Sequence, residues 1–367
     1  MTTQKILLLA GRYGLSGVPL AQLRLARVLA RRGHTVKLVY GMLNDGIEQP
    51  VADGLDIVFL QRARVSSMVL PLARLFKSYE PDIVFSAGDH LNSMVLVAAY
   101  LSRTTAKISC SSRVTPYDTY SSRVFSKGWF LKQVIRLVMP RADVLTCVSK
   151  DMVDQYRQIF SSSRHVCVYN IVGNTESPAG VDRTNSRSSL PRDHAYRIVA
   201  AGALEPWKGF TDLIDAMSIV VRSANAHLTI LGEGSQRSAL QSRIDDLGLS
   251  DSVVLYGNVE DPLNYFSRSD TFVLSSYLEG LPNVLVEAML CGCTPVSTDC
   301  PTGPREVLQD GRYGYLVPLN DPAALAAGIL QSFESPISND DLQDAIQGFR
   351  VDNVLKRHAE LLGVDGL

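Results

Sequence analysis

The segment Ser275–Glu287, SSYLEGLPNVLVE, holds the densest group of chemically useful residues in this 367-residue chain. Glu279 and Glu287 stand in it with seven residues between them. Glu287 falls inside an otherwise apolar helical run from Val284 to Leu290, where a carboxylate is costly to bury unless something hydrogen-bonds it. A ribose cis-diol is a suitable partner; a capping or surface glutamate is the alternative. Pro282 and Asn283 occupy helix-starting positions, so backbone N–H groups and the positive helix end face the preceding loop, a fit for a diphosphate.

A second candidate is the loop Gly11–Gly17, GRYGLSG, whose glycines either let backbone approach a phosphate at a helix start or merely make the turn. Its spacing is not a dinucleotide fingerprint, and no acidic residue closes the next strand, TVKLVYG, to hold an adenine ribose. A dinucleotide site is therefore disfavoured. Asp89 and His90 follow the strand DIVFSAG, either facing a ligand or capping the loop. Ser122–Arg141 interleaves Arg123, Lys127, Lys132, Arg136 and Arg141 with Phe125, Trp129, Phe130, Leu131, Ile135 and Leu137. At helical spacing this is a basic amphipathic stretch, suited to an anionic leaflet or to burying one face in protein. The six cysteines lack paired zinc-ligand spacing and read as thiols of a reducing compartment, with no metal site.

The elements that must position these groups alternate. Lys5–Ala10 reads as a strand, Pro19–Arg32 as a helix and Thr35–Tyr40 as a strand, and the rhythm continues to a strand at Val144–Val148. Between Asn174 and His194 it fails, in a run rich in Ser, Asn, Arg, Pro and Gly that reads as a linker. A fresh set starts with the strand Arg197–Ala201 and the helix Phe210–Arg222, and reaches the helix Asn283–Cys291 and the strand Thr294–Ser297. Such alternation implies parallel sheets covered on both faces, with ligands at the carboxyl ends of the strands. The expected fold is α/β, two doubly wound domains facing across a cleft.

Length and 46% apolar content suit two packed cores. No stretch approaches the roughly 20 apolar residues of a membrane span, and the start lacks the flanks of a secretory signal, so a cytoplasmic protein is expected. The net charge of −1 hides an asymmetry. Residues 1–180 carry 22 Lys and Arg against 12 Asp and Glu, the rest 14 against 25. A basic half of this kind suits an anionic surface or substrate and tips Ser122–Arg141 towards membrane contact.

The stretch from Glu279 to Pro318, EGLPNVLVEAMLCGCTPVSTDCPTGPREVLQDGRYGYLVP, resembles the donor-binding signature of the family 4 glycosyltransferases, retaining enzymes with the GT-B fold. Further segments match in order: GHTV at Gly33–Val36, ADVLTCVSKDM at Ala142–Met152, Asn170 within VYNIV, GALEPWKGF at Gly202–Phe210, LGEGSQRSALQ at Leu231–Gln241 and VVLYGNVED at Val253–Asp261. The resemblance implies that Glu287 binds ribose hydroxyls and Glu279 the donor sugar, with backbone at Gly280, Leu281, Pro282 and Asn283 near the diphosphate. Lys208 would neutralise the leaving diphosphate, backbone at Gly257, Asn258 and Val259 would read the base, and the Gly14–Gly17 loop would close from the other domain. His90, beside Asp89, would contact donor sugar or acceptor. SCSSRVTPYD, with Arg113, resembles a stretch of the subset that adds hexoses or N-acetylhexosamines to bacterial surface glycans. One departure stands out: where the family usually has Arg in a GRL triplet, this chain has Ala203, and Arg305 is the preferred compensating cation.

The reading that follows is a retaining transferase moving a hexose or N-acetylhexosamine from a nucleotide-diphosphate sugar, UDP favoured over GDP, to a lipid-linked or oligosaccharide acceptor. It needs no metal or cofactor and no nucleic acid. The rival readings are a GT-B nucleotide-sugar epimerase and a non-catalytic nucleotide- or carbohydrate-binding relative. The expected domains are 1–173, completed by a C-terminal helix at 349–367, and 195–348, joined by the linker 174–194.

Overall fold

A computed structural model of the chain describes residues 3–14, 17–44, 46–50, 54–160, 164–172 and 195–367. The linker 174–194 and the loop residues Leu15 and Ser16 lie outside the described residues. The chain divides into two compact units, one of Met1–Ile171 with Phe349–Leu367, the other Val172–Gly348.

The first unit holds β1 (Lys5–Tyr13), α1 (Gly17–Arg31), β2 (Thr35–Leu43), β3 (Asp56–Phe59), α2 (Val69–Tyr79), β4 (Ile83–Ala87), α3 (Asp89–Ser102), β5 (Lys107–Ser112), α4 (Pro116–Thr119), α5 (Lys127–Val138), β6 (Val144–Cys147), α6 (Lys150–Ile159) and β7 (His165–Cys167). Its strands are all parallel in the order β3-β2-β1-β4-β5-β6-β7. Residues Ile6 to Leu9 of β1 are fully buried, as a central parallel strand covered on both faces requires.

Three expectations are corrected in this unit. Gly11 lies inside β1, which is paired along β2 to Tyr13↔Leu43, so the strand runs on beyond Ala10 and ends only at Tyr13. Within Ser122–Arg141 only Lys127–Val138 is α-helical: Ser126 accepts the Trp129 N–H at 3.1 Å as N-cap, and Phe125 before it has φ +64°. The C-terminal helix expected at 349–367 is shorter, Val351–Leu362, because Phe349 sits in a 3-10 turn, Arg350 is extended and Gly363 ends it at φ +63°.

The second unit holds β8 (Tyr196–Ala201), α7 (Phe210–Ser223), β9 (Ala226–Leu231), α8 (Arg237–Asp246), β10 (Val253–Gly257), α9 (Pro262–Ser267), β11 (Thr271–Leu274), α10 (Asn283–Leu290), β12 (Thr294–Thr298), α11 (Pro304–Val307), β13 (Tyr315–Val317), α12 (Pro322–Glu334) and α13 (Asn339–Ala345). Its sheet is parallel in the order β10-β9-β8-β11-β12-β13. From β8 the chain builds outward through β9 and β10, then returns to add β11 on the other side of β8. Loops leaving β8 and β11 therefore diverge at a switch point, where doubly wound sheets bind ligands.

After the second unit the chain returns to the first as α14 (Val351–Leu362), which ends on Gly363 at φ +63°. Val354, Leu355 and Leu362 of α14 join Ile6, Leu8 and Phe85 of the sheet and Leu25 and Leu29 of α1 in one core. Arg32 pairs with Asp352 and donates from Nη1 to the Leu367 carbonyl at 2.9 Å.

Candidate functional site

The loop leaving β8, Gly202 to Gly209, and the loop leaving β11, Ser275 to Pro282, are joined by two hydrogen bonds. The Ser275 hydroxyl donates to the Lys208 carbonyl at 2.8 Å, and the Tyr277 N–H donates to the Trp207 carbonyl at 2.8 Å. Gly209 permits this contact: its φ is +63°, and a Cβ there would lie 2.1 Å from the Ser275 carbonyl oxygen. The neighbouring loop is held as closely, since a Cβ on Gly232 would lie 2.0 Å from the Gly202 carbonyl oxygen.

These contacts bring the expected cation and carboxylate together. Lys208 Nζ donates to Glu279 Oε1 at 2.5 Å, with the two side chains only 17% and 11% exposed. The Ser276 hydroxyl donates to the same oxygen at 2.7 Å, and the Thr302 hydroxyl donates to the Glu279 carbonyl. The sequence alone does not single out Ser276 or Thr302, although a hydroxyl three residues before Glu279 is a signal for the first. Any phosphate oxygen reaching Lys208 has to compete with Glu279 for its protons.

Glu287 lies one helical turn into α10, 3% exposed, with Leu285, Val286, Ala288 and Met289 buried around it. Leu281 and Pro282 are buried, and Gly280 and Asn283 partly so, at the start of that helix. Gly303, at φ +92°, closes the β12 loop against them: a Cβ there would lie 2.5 Å from Pro282 Cδ. Gly257 ends β10 at φ +97°, its carbonyl accepting the Gly232 N–H at 2.8 Å, with Asn258 exposed and Val259 partly buried after it. Ala203 is exposed on the β8 loop. Arg305, on α11, is bonded to Asp299 Oδ1 at 3.1 Å and to Asp310 Oδ1 at 3.2 Å, so both carboxylates already engage it.

The remaining candidates belong to the first unit. Asp89 and His90 form the first turn of α3 and point differently: Asp89 is 5% exposed and His90 is at the surface. The Asp89 carboxylate accepts from Ser112 Oγ at 2.7 Å and from the Tyr156 hydroxyl at 2.5 Å; burial pushes its pKa up, against these bonds. Gly14 follows β1 in a space where a Cβ would lie 2.4 Å from Asn44 Nδ2, and Gly17 opens α1. Arg113, just past β5, has Nε and Nη1 buried. No helix among the described residues is long and apolar enough to cross a membrane.

Comparison with known proteins accounts for this architecture. The family model described as Glycosyltransferase Family 4 matches residues 16–173, and that described as Glycosyl transferases group 1 matches residues 181–348. An uncharacterised glycosyltransferase of Methanocaldococcus jannaschii is 29% identical over 65% of this chain and 60% of its own length. The N-acetylgalactosamine-N,N'-diacetylbacillosaminyl-diphospho-undecaprenol 4-alpha-N-acetylgalactosaminyltransferase of Campylobacter jejuni is 27% identical over 78% of this chain and 74% of its own. The lipopolysaccharide core biosynthesis glycosyltransferase LpsE of Rhizobium meliloti is 30% identical over 52% of this chain, and the match spans 53% of that protein. Among solved structures, the lipopolysaccharide outer core galactosyltransferase WaaB superposes with a TM-score of 0.72 at 20% identity, over 98% of this chain and 99% of that one. Anabaena HepE in complex with UDP and glucose superposes with a TM-score of 0.71 at 20% identity, over 98% and 99%. With two doubly wound parallel units of the GT-B class and a model match on each, the chain belongs to the family 4 glycosyltransferases.

Proposed function

We propose that the chain is a retaining glycosyltransferase that moves a hexose or N-acetylhexosamine from a nucleotide-diphosphate sugar, UDP rather than GDP, to a lipid-linked or oligosaccharide acceptor of a bacterial surface glycan. The observation that carries this reading is the Lys208–Glu279 pair at the switch point of the second sheet, in the loop that leads into the helix carrying the buried Glu287. Glu287 takes the ribose hydroxyls, Glu279 the hydroxyls of the donor sugar, and the Gly280–Asn283 backbone the diphosphate. Lys208 neutralises the charge that grows on the diphosphate as the glycosidic bond breaks, and Gly257–Val259 borders the base. The departing phosphate accepts the acceptor's proton on the same face, so no protein carboxylate acts as nucleophile and no metal or cofactor takes part. The names of the Campylobacter and Rhizobium relatives support a surface-glycan acceptor, and the UDP in the HepE complex supports the choice of base.

The first unit supplies a surface suited to a lipid-linked acceptor. Phe125 is 79% exposed and Leu137 78%, with Val124 and Phe130 also exposed, beside Arg123, Lys127 and Arg136. This patch is proposed to rest on the anionic cytoplasmic face of a membrane. Ala203 favours a second reading, a binding relative without turnover, because one phosphate-binding cation is missing.

A panel of UDP- and GDP-sugars, incubated with and without membrane extract, separates these readings. Acceptor-dependent nucleotide release with a retained anomeric configuration in the product is expected. Acceptor-independent release of free sugar would instead mark an epimerase, and binding without release a non-catalytic relative. Glu287→Gln should raise the nucleotide Kd by about tenfold or more, from the loss of charged hydrogen bonds of about 1.5–3 kcal/mol. An unchanged nucleotide titration would remove Glu287 from the site.

A further inference from the structure

Each member of the Lys208–Glu279 pair follows an exposed apolar side chain. Trp207 directly precedes Lys208 and is 50% exposed; Leu278 directly precedes Glu279 and is 41% exposed. Leu204 and Phe210, on either side of Trp207, enter the core of the second unit, and Trp207 does not. The chain's other tryptophan, Trp129, stacks on Phe125 and Phe130 with ring centroids 5.8 and 5.1 Å apart. Among the described residues no ring or cation stacks on the Trp207 indole, and its N–H has no hydrogen-bond partner. A large amphipathic ring is thus half in water beside the charged pair, with no part in the packing of its own unit.

The backbone beneath that ring is fixed. Pro206–Lys208 form one 3-10 turn, closed by Gly209 at φ +63°. The Trp207 carbonyl accepts the Tyr277 N–H at 2.8 Å, which also sets Leu278, one residue on, beside the turn. Glu205, just before the turn, accepts the Ser235 hydroxyl at 2.7 Å and the Ser235 N–H at 3.1 Å. A ligand reaching the indole therefore meets a loop already ordered, and little is lost in holding it. The surroundings select the ligand. A flat apolar face with one N–H donor, next to a carboxylate and an ammonium, matches a molecule with a flat C–H face and a rim of hydroxyls. A hexopyranose ring has both, with axial C–H bonds on its face and hydroxyls around its edge. A phosphate lacks the apolar face, and a lipid chain lacks the hydroxyls.

We propose that Trp207, with Leu278 beside it, is a sugar-stacking subsite, in which a hexopyranose ring lies with its C–H face on the indole and a ring hydroxyl accepts the indole N–H. This deepens the donor-side reading and rests on it for the source of the ring, which is either the donor's sugar or the acceptor's.

The test uses the full chain carrying Trp129→Phe, which leaves Trp207 as its one indole because the sequence has two tryptophans. Trp207 emission and its quenching by acrylamide are followed during titration with the methyl glycosides of glucose, galactose, N-acetylglucosamine and N-acetylgalactosamine, with UDP, with UDP-glucose and UDP-N-acetylglucosamine, and with sorbitol, a polyol that has no ring face. Ring-bearing ligands are expected to shift the emission to the blue and to shield the indole from acrylamide, saturably, with sorbitol inert. A response to methyl glycosides that persists in UDP-saturated protein would identify the acceptor's ring, and a response confined to the UDP-sugars the donor's. Calorimetry with the responding ligand then compares variants: Trp207→Ala should weaken binding by about tenfold, the scale of an aromatic contact, whereas Trp207→Phe, which keeps a ring face, should stay within about threefold of the wild type. No response to any sugar ring beyond that to sorbitol or to UDP alone, or full affinity in a folded Trp207→Ala variant, would overturn the proposal. Failure of UDP to bind the wild type would instead overturn the donor-side reading.

Discussion

Lys208 and Glu279 each keep the other's charge partly out of solvent, so removing one exposes the function of both. Lys208→Ala leaves Glu279 with the Ser276 hydroxyl and takes away the cation facing a leaving diphosphate. Turnover should fall by more than about tenfold, and donor affinity by less, because diphosphate charge is greatest in the transition state. Steady-state kinetics beside a nucleotide titration checks the split; a kcat within about threefold of the wild type, well under the tenfold of 1.4 kcal/mol, would assign the role to another cation. Glu287 is legible in the sequence because one acid in an apolar helical run is conspicuous. Thr302 is not, because it reaches the Glu279 carbonyl from 23 residues downstream only after the β12 loop folds back. Asp89 and His90 are adjacent in sequence and separated in space for a simpler reason. α3 begins at Asp89, and consecutive helical residues point about 100° apart, one inward and one outward.

Among the elements, the turn at Gly209 joins the two loops that carry Lys208 and Glu279. Gly209→Ala combines a positive φ with a Cβ placed 2.1 Å from the Ser275 carbonyl oxygen, so the loops have to separate. The second unit should lose about 1–3 kcal/mol, the scale of such backbone strain, and nucleotide binding should weaken with it. Denaturant unfolding and a nucleotide titration read the two effects, and wild-type values in both would show that the loops are joined by something else. Strands whose apolar runs are long enough to show a pattern, such as Lys5–Ala10, are legible and extend further in the structure, here to Tyr13. β7 and β13, three residues each at sheet edges, are too short to show one. The helix Pro322–Glu334 escapes the sequence reading although Asp321 and Pro322 form a starting signal, with the Asp321 carboxylate accepting the Ala324 N–H at 2.8 Å. The break before α14 was hidden because apolar spacing runs on through Gly348 while the backbone does not.

At the scale of the whole molecule, the two units should respond differently to acid and to loss of the C-terminus. Burial pulls His165 down to about 4 and His358 to about 3, both in the first unit, whereas His227, the one histidine among the described residues of the second, is exposed. An unfolded imidazole binds a proton below about pH 6.5 and these folded ones do not. The first unit should therefore lose stability as pH falls from about 6.5 towards 4, by roughly 2 kcal/mol per histidine at pH 5. Asp89, raised by burial, works in the opposite direction and offsets part of the loss. Hydrogen exchange at pH 7.5 and pH 5 should show opening in the first unit ahead of the second, and His165→Asn should narrow the gap; equal opening in both would refute it. The same unit depends on the returning end of the chain. Val354, Leu355, Leu362 and Leu367 are each at most 4% exposed, Phe349 stacks on Tyr169 at 4.2 Å, and Arg32 holds the Leu367 carbonyl. Burying those four aliphatic side chains is worth roughly 6–12 kcal/mol at about 1.5–3 each, comparable with the whole stability of an ordinary domain. Truncation after Gly348 should then unfold the first unit while the second keeps its core and its nucleotide affinity. Leu355→Ala, costing about 2–5 kcal/mol, should lower the first unit's stability alone. Full exchange protection of β1, β4 and β5 in the truncated chain would show that α14 adds nothing to the core it completes.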